Sequence, residues 1–374
     1  MRICSIITSF TSGGAEMLVC DLAEAFAADG HETTVFALSD AVQVGNPTDT
    51  EMAMMARVRQ SGATAMSLSL AHRNNWIGGT LALRRALRTT RPDVIHTHTA
   101  RALPLIALAM PRVPVALTHH NSRLSFPPSA FHLFNRIVDA YVAISDQCRT
   151  MLQAHGRQPV RLILNAAHPR FQADRPRLKP AHDPLILAVG TVSEQKDYPT
   201  LLGAAQPVVD ALAAQGRKAR ICIAGGGPDL ARLQSRVAGQ PVELLGARGD
   251  VDMLMRQADL FVNCSLWEGF PISMIEALTS GLPIVATQVA GNREMIVPGV
   301  NGQLVPPSNP AALAHAMVDI LSDETGYAAL SRGALETAGR FSIESCANAH
   351  LRLYEELRAV RHRHGLNHGM APAE

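Results

Sequence analysis

Short apolar runs alternate with longer segments of mixed polarity along almost the whole chain. The runs lack a polar alternation, which is typical of parallel strands covered on both faces by helices. In the first half they predict seven strands, at Arg2–Thr8, Thr33–Leu38, Ala65–Leu70, Val94–Thr97, Val113–Thr118, Ala140–Ile144 and Val160–Leu164. The segments between them, such as Ala15–Ala28 and Gly79–Arg88, predict amphipathic helices.

The same pattern begins again after residue 184 and predicts a second set of strands and helices. The strands are expected at Leu185–Val189, Ala219–Ala224, Val242–Leu245, Leu260–Cys264, Ile284–Ala286 and Gln303–Val305. Helices are expected at Pro310–Ser322 and Gly326–Arg340. A proline-rich, charged stretch separates the two sets, and it is interpreted as a linker.

These patterns predict two α/β domains, each with a Rossmann-like, doubly wound parallel sheet. We expect a first domain at 1–165, a linker at 166–184 and a second domain at 185–344. A helix at 345–361 is expected to return to the first domain, and 362–374 to form a flexible tail. The length of 374 residues fits two such domains. Ligands are expected in a cleft between the carboxyl ends of the two sheets.

Composition and charge exclude several classes of protein. The chain is 47% hydrophobic and 4% aromatic, which indicates a soluble protein with an aliphatic core. Its net charge of +2 argues against a nucleic-acid partner. Residues 1–165 carry a net charge of +4 and contain no lysine, whereas residues 183–345 carry −6. The basic first half suits an anionic acceptor or a membrane surface.

The cysteines and the apolar stretches predict a cytoplasmic location. None of the six cysteines forms a C-x-x-C pair, so we expect reduced thiols. The chain enters a predicted strand directly after Met1, so no signal peptide is expected. The best candidate for a membrane span, residues 102–117, is short and interrupted by prolines.

A pair of carboxylates in the second half gives the strongest chemical signal. Glu268 follows an apolar strand, and Glu276 lies on the first turns of the next predicted helix. The amides of Gly269, Phe270 and Ile272, around Pro271, are expected to point out of the helix N-terminus, where a phosphate is favoured. A phosphate position between two carboxylates suits a nucleotide sugar, with Glu276 on a ribose diol and Glu268 on the sugar.

Glycine-rich loops after two strands and one lysine complete the predicted anion site. Lys196 follows the first strand of the second domain and is expected to reach a pyrophosphate; a solvated surface lysine is the alternative. Gly13-Gly14 either lets a ligand approach or makes a tight turn. The loop that begins at Gly225 either lines the donor pocket or is a structural turn.

Other polar clusters have simpler interpretations. His119 and His120 follow one strand and His96 and His98 occupy the next, but no carboxylate or cysteine accompanies them, so a metal site is not predicted. Asp250-Val-Asp252 precedes an amphipathic helix and is interpreted as a helix cap. Five arginines around one predicted helix form either a solvated face or a docking patch for a phosphate-bearing or membrane-embedded acceptor, namely Arg73, Arg84, Arg85, Arg88 and Arg91.

On these residues the chain resembles glycosyltransferase family 4, whose members are retaining, metal-independent enzymes of the GT-B fold. The resemblance covers nearly the full length, and it implies an acceptor-binding domain at 1–165 and a nucleotide-sugar-binding domain at 185–344. It includes the Gly-Gly-Ala-Glu segment from Gly13, the Thr-His-His-Asn segment ending at Asn121, and the segment from Trp267 to Pro306.

The resemblance implies roles for particular residues. Lys196 would bind the donor diphosphate above Gly14, and Glu268 and His120 would contact the transferred sugar. Glu276 would hold the ribose, and the backbone near Leu245 would read the base. Where the family commonly has an arginine, this chain has Thr191, so leaving-group charge would depend more on Lys196 and on helix amides.

The predicted function is transfer of a sugar from a nucleoside-diphosphate sugar to a saccharide or lipid-linked acceptor in cell-envelope or exopolysaccharide synthesis. No cofactor or metal is expected, and contact with the inner face of the membrane is expected for a lipid-linked acceptor. A nucleotide-sugar 2-epimerase of the same fold and a non-catalytic nucleotide-sugar sensor are the alternatives.

Overall fold

The computed structural model describes residues 1–11, 13–44, 46–70 and 76–368. The chain divides into two compact units, each built on one parallel sheet. The first unit contains Met1–Thr11, Ala15–Leu164 and the segment that begins at Ile343. The second contains Asn165–Ser342 together with Gly13 and Gly14.

The first unit has a seven-stranded sheet with helices between its strands. The strands are β1 (Arg2–Ile7), β2 (Glu32–Ala37), β3 (Thr64–Ser67), β4 (Val94–Thr97), β5 (Val115–His119), β6 (Ala140–Ala143) and β7 (Val160–Leu162). The helices are α1 (Gly14–Ala28), α2 (Thr48–Gln60), α3 (Trp76–Thr90), α4 (Leu103–Ala109), α5 (Phe131–Ile137) and α6 (Asp146–His155). The spatial order is β3-β2-β1-β4-β5-β6-β7, with every pair parallel, so the winding direction changes between β1 and β4.

The second unit has a six-stranded parallel sheet of the same kind. Its strands are β8 (Leu185–Val189), β9 (Arg220–Ala224), β10 (Glu243–Gly246), β11 (Leu260–Asn263), β12 (Ile284–Thr287) and β13 (Gly302–Val305). Its helices are α7 (Tyr198–Ala213), α8 (Leu230–Val237), α9 (Val251–Gln257), α10 (Ile272–Thr279), α11 (Ala290–Arg293), α12 (Pro310–Ser322) and α13 (Glu324–Ala338). The order is β10-β9-β8-β11-β12-β13, and the winding direction changes between β8 and β11.

The thirteen predicted strands are confirmed, most of them to within two residues. Their central residues are buried because helices cover both faces of each sheet; Ile3 to Ile7 of β1 and Leu260 to Asn263 of β11 are all buried. This burial on both faces explains why the strands appear in the sequence as continuous apolar runs.

The segment interpreted as a linker belongs to the second unit. The Arg177 amide donates to Ser331 Oγ at 2.8 Å, and its guanidinium donates to the Met255 carbonyl at 2.9 Å. Asp259 accepts from the amides of Ala181 and Leu185 at 2.8 and 2.9 Å. These bonds hold residues 165–184 against the second unit, so this stretch is a structured part of that unit.

The prediction of a flexible tail from residue 362 is wrong for its first seven residues. The last helix, α14 (Ile343–His368), begins two residues earlier and ends seven residues later than expected, and it belongs to the first unit. Between Ile343 and Pro372 the sequence contains no proline, and an established helix extends at little cost per residue. Residues 369–374 lie outside the described part of the chain.

Two further features concern the compartment. The six cysteines are free and buried. Among the residues described, no helix combines the length and the apolar character that crossing a bilayer requires.

Candidate functional site

Two loops of the second unit bring the predicted lysine and the first glutamate together. Lys196 lies on a single 3₁₀ turn, Glu194–Lys196, in the loop after β8. Glu268 lies in the loop between β11 and α10. Since β8 and β11 are neighbours on either side of the change in winding, their carboxyl ends open the crevice where such sheets bind ligands.

Glu268 is 5% exposed and accepts hydrogen bonds from four side chains. Lys196 Nζ lies 2.5 Å from its Oε1, which also accepts from Ser265 Oγ at 2.6 Å and from Asn263 Nδ2 at 3.3 Å. Gln195 Nε2 donates to Oε2 at 3.2 Å. Sequence reasoning placed Lys196 and Glu268 on different parts of the donor, whereas the structure pairs them directly.

A buried polar network supports the loop that carries Glu268. Thr287 Oγ1 donates to the Ser265 carbonyl at 2.6 Å, and Asn292 Nδ2 donates to the Thr287 carbonyl at 2.9 Å and approaches Asn263 Oδ1 at 3.3 Å. These four residues are at most 5% exposed. The network fixes the loop that carries Glu268, because shifting any member would leave a buried polar group without its partner.

The start of α10 presents main-chain donors next to Glu268. No residue within the described ranges accepts a hydrogen bond from the amides of Gly269, Phe270 or Ile272. All three residues are buried, and α10 has no side-chain cap. Free amides at a helix N-terminus form a position for an anion. The predicted surface alternative, carboxylates on an exposed helix start, does not apply to Glu268.

Close backbone packing fixes the loop that carries Lys196. The Val192 amide donates to the Gly226 carbonyl at 2.8 Å, and the Gly190 amide donates to the Ala224 carbonyl at 3.0 Å. A Cβ atom at Gly225, where φ is +159°, would lie 1.9 Å from the Gly190 carbonyl oxygen. The glycine loop therefore has a structural role, the second of its two interpretations.

The other residues predicted for the donor lie in the same unit. Thr191 is exposed and Glu276 is half-buried on the second turn of α10. In the β9–β10 ladder, Leu244 pairs with Ile223 and Gly246 pairs with Ala224, so Leu245 between them is left unpaired. A residue skipped in this way has main-chain groups outside the ladder, which suits recognition of a base by backbone atoms.

Gly13 and Gly14, which follow β1, belong to the second unit. A Cβ atom at Gly14 would lie 3.4 Å from Ile272 Cβ, an ordinary contact, and Gly13 directly precedes it. Nearby, Asn165 Nδ2 donates to the Phe270 carbonyl at 2.8 Å. Asn165 therefore helps to fix the peptide between Phe270 and Pro271, a role that its sequence position did not indicate.

The four histidines lie together at the carboxyl ends of β4 and β5 in the first unit. His98 Nδ1 lies 3.0 Å from His120 Nε2. His96 is fully buried, with Tyr354 Oη 2.6 Å from Nδ1 and Thr118 Oγ1 2.7 Å from Nε2. Tyr354 comes from α14, and this contribution of the last helix was missed because it lies 258 positions from His96 in the sequence.

Burial keeps these imidazoles neutral. It is the main cause that lowers the pKa of His96 and His98 well below 6.5, with neighbouring histidines lowering the pKa further. Burial, followed by the charges of His119 and His350, lowers the pKa of His120 to about 3. His120 Nδ1 is buried and has no hydrogen-bond partner among the described residues. Within the same residues, these histidines do not bring three ligand atoms within 4.8 Å of one another.

Two remaining predictions have different outcomes. Asp250 precedes α9, but its carboxylate accepts from the Arg248 guanidinium at 2.6 and 2.8 Å and caps no helix amide, so the capping interpretation is wrong. A bidentate arginine is a stronger donor than a helix amide. The arginines at 84, 85 and 88 are exposed along α3, whereas Arg73 lies outside the described residues.

Comparison with protein families gives matches over most of the chain. The family described as Glycosyltransferase Family 4 matches residues 12–170, and the one described as Glycosyl transferases group 1 matches residues 183–323. Together they cover every strand of the two sheets except β1.

Mannosyltransferases are among the curated relatives. A GDP-mannose-dependent alpha-mannosyltransferase of Mycobacterium tuberculosis is 30% identical over 265 residues, or 63% of this chain and 67% of that protein. A phosphatidyl-myo-inositol mannosyltransferase of Mycobacterium leprae is 28% identical over 280 residues, or 70% of this chain and 73% of that protein.

Solved structures share the fold. HepE of Anabaena in complex with UDP-glucose has a TM-score of 0.77 at 21% identity, covering 96% of this chain and 100% of that one. WaaG, a glycosyltransferase of lipopolysaccharide biosynthesis, has a TM-score of 0.69 at 15% identity, covering 95% and 99%. The predicted fold class, GT-B with two Rossmann-like domains, is confirmed.

Proposed function

The chain belongs to glycosyltransferase family 4, and from that membership we propose that it is a retaining enzyme that uses a nucleoside-diphosphate sugar. One observation carries the proposal. Glu268 binds Lys196 and directly precedes a run of buried main-chain amides. No described residue accepts a hydrogen bond from these amides. A diphosphate would supply acceptor oxygens for these amides and a second anionic partner for the Lys196 ammonium group.

In the proposed complex, the amides of Gly269, Phe270 and Ile272 bind the diphosphate and Lys196 neutralises it. Charge that develops on the leaving group is then stabilised by groups already in place, which is the most effective form of electrostatic catalysis. Because Thr191 stands where the family commonly has an arginine, Lys196 is the main cation in this arrangement. We propose that these donors replace a metal ion.

Glu268 is poorly suited to act as a nucleophile. An ionised carboxylate offers about four acceptor positions, and four side chains already donate to this one. We propose that it positions Lys196, and that contact with the donor sugar uses an oxygen released when Lys196 turns toward the diphosphate.

The proposed transfer takes place on one face of the sugar. The bond between the anomeric carbon and the β-phosphate oxygen breaks as an acceptor oxygen bonds to the same face of that carbon. The acceptor proton passes to an oxygen of the leaving diphosphate. No protein nucleophile is required, and configuration is retained. We propose that His120 contacts the transferred sugar through the buried Nδ1 atom that lacks a protein partner.

The acceptor follows from the relatives by analogy. One is described as acting on phosphatidyl-myo-inositol, and the other as dependent on GDP-mannose. We propose a saccharide or lipid-linked acceptor of cell-envelope or polysaccharide synthesis, met at the inner face of the membrane.

A panel of UDP-, GDP- and ADP-sugars incubated with the protein in excess EDTA tests the proposal. We expect slow hydrolysis of one donor without metal, and a released or transferred sugar of unchanged anomeric configuration by NMR. Conversion of a donor into its 2-epimer would instead identify an isomerase. Binding without any turnover, in the presence of candidate acceptors, would identify a sensor.

A matched pair of lysine variants tests the site. Lys196→Met should lower donor turnover about 100- to 1,000-fold, the usual loss for a group that stabilises transition-state charge. Lys218→Met makes the same change at an exposed position of the same unit and should leave turnover unchanged. Equal activity in the two variants would contradict the assignment of Lys196.

A further inference from the structure

Helix α3 exposes a stripe of apolar residues that the core does not explain. Ile77 is 79% exposed, Leu81 is 61% exposed and Trp76 is 45% exposed. Four residues along the middle of the exposed face follow the spacing i, i+4, i+7 and i+11, namely Ile77, Leu81, Arg84 and Arg88. The apolar residues form one half of this stripe and the arginines the other.

The opposite face of α3 is fully used by the fold. Leu83 is 0% exposed, and Ala86 and Leu87 are buried. Gly79 lets α4 approach, since a Cβ atom there would lie 3.2 Å from Leu105 Cδ2. The exposed stripe therefore cannot turn inward without breaking this packing, and it is available to a partner outside the chain.

Charge indicates which partner fits the stripe. Arg84, Arg85 and Arg88 are all exposed, and the sequence of α3 contains no acidic residue. Tryptophan and short aliphatic side chains beside arginines are typical of helices that lie in the boundary between headgroups and acyl chains. An anionic bilayer binds both halves at once, the apolar residues in its acyl boundary and the arginines at its headgroups.

We propose that α3 is the membrane-docking surface of the protein. Trp76, Ile77 and Leu81 enter the acyl boundary of a bilayer, and the three arginines bind anionic headgroup phosphates. This inference rests on the proposed function, because a lipid-linked acceptor lies at the membrane. Its physical basis, the exposed stripe, is independent of the donor site.

Vesicle co-sedimentation without donor or acceptor tests the surface. The probes are vesicles of phosphatidylcholine alone and of equal parts phosphatidylcholine and phosphatidylglycerol. We expect binding to the anionic vesicles, weakened by added salt, and little binding to the neutral ones. Each arginine should strengthen binding to the anionic vesicles about fivefold. Arg84→Glu, Arg85→Glu and Arg88→Glu together should therefore weaken that binding by about 100-fold or more.

Apolar variants and matched controls separate insertion from general charge. Ile77→Ser with Leu81→Ser should weaken binding to anionic vesicles at least tenfold. Leu178→Ser and Arg332→Glu change exposed residues of the second unit in the same way and should have no effect.

The readouts also distinguish failure of this proposal from failure of the enzymatic one. Donor hydrolysis in solution should be unchanged in all the α3 variants, because none of them touches the donor site. Unchanged vesicle binding in both α3 variants would overturn the proposal. The proposal would also be overturned if the protein did not bind vesicles and instead formed a concentration-dependent dimer that Ile77→Ser with Leu81→Ser abolished.

Discussion

Replacing Gly190 with alanine displaces Lys196 by the addition of one methyl group. A Cβ atom at Gly190 would lie 2.9 Å from Lys196 Cε and 3.4 Å from Lys196 Cδ. Gly190 is not among the residues with positive φ, so alanine can adopt its backbone conformation. The strain is therefore relieved mainly by the lysine side chain, which is flexible, together with a small shift of the Tyr198 hydroxyl, which would lie 3.3 Å from the new Cβ atom.

The size of the effect follows from these distances. Carbon atoms in ordinary contact lie about 3.5–4.0 Å apart, so Lys196 Cε must move by roughly 0.6–1.1 Å. The ammonium group lies 2.5 Å from Glu268 Oε1, and a shift of this size separates the pair. A misplacement of about 1 Å in a catalytic group can cost about 100-fold in rate. We expect Gly190→Ala to lower donor turnover by about that factor.

The assay is hydrolysis of the accepted donor, with kcat and KM measured separately, alongside thermal unfolding. Gly339→Ala is the control, since a Cβ atom there would meet nothing closer than the Glu336 carbonyl at 3.4 Å. We expect both variants to unfold near the wild-type temperature and the control to keep its turnover. Wild-type kcat and KM in Gly190→Ala would refute the placement of Lys196 on the leaving group.

Four other substitutions have definite expected outcomes. Glu268→Gln leaves the ammonium of Lys196, whose side chain is 15% exposed, without its counter-charge, and should lower the free energy of unfolding in urea by about 3 kcal/mol as well as turnover. Glu276→Ala should raise the donor KM with little change in kcat, because a ribose contact acts equally in ground and transition states. His98→Leu removes the partner of His120 Nε2 and should lower kcat/KM about tenfold; equal values would remove His98 from the site. Burial lowers the pKa of His350 to about 4, so between pH of about 6.5 and 4 the unfolded chain binds a proton that the folded one does not. Stability should therefore be full above about pH 6.5 and fall by up to about 1.4 kcal/mol per pH unit below it, and His350→Gln should reduce this slope in denaturant titrations.

The sheets were predictable because their strands are covered on both faces. β8 was predicted at its observed bounds from the apolar run Leu185–Val189 alone. The end of α14 was not predictable in the same way. Its last turns are polar and carry no periodic apolar signal, and the sequence provides no proline to end them.

The sequence indicates the residues of the proposed site but not the contacts between them. The motif from Glu268 to Glu276 and the position of Lys196 after a strand could be found in the sequence. The pairing of Lys196 with Glu268 could not, because it depends on β8 and β11 being neighbours although 72 positions separate the two residues. Asn263 and Ser265 were missed since short neutral polar residues at a strand end resemble ordinary loop residues.

The return of α14 to the first unit bears on how the chain folds during synthesis. The ribosome completes β7 of the first sheet, then makes the 178 residues of Asn165–Ser342 before the first residue of α14 appears. At about 5–20 residues per second this takes roughly 10 to 35 seconds. For that interval Phe26 lacks the Tyr354 ring that packs against it at 6.0 Å, and His96 lacks its hydroxyl partner. The domain made first is thus the last to be finished, and nascent chains should need a chaperone on this face until translation ends.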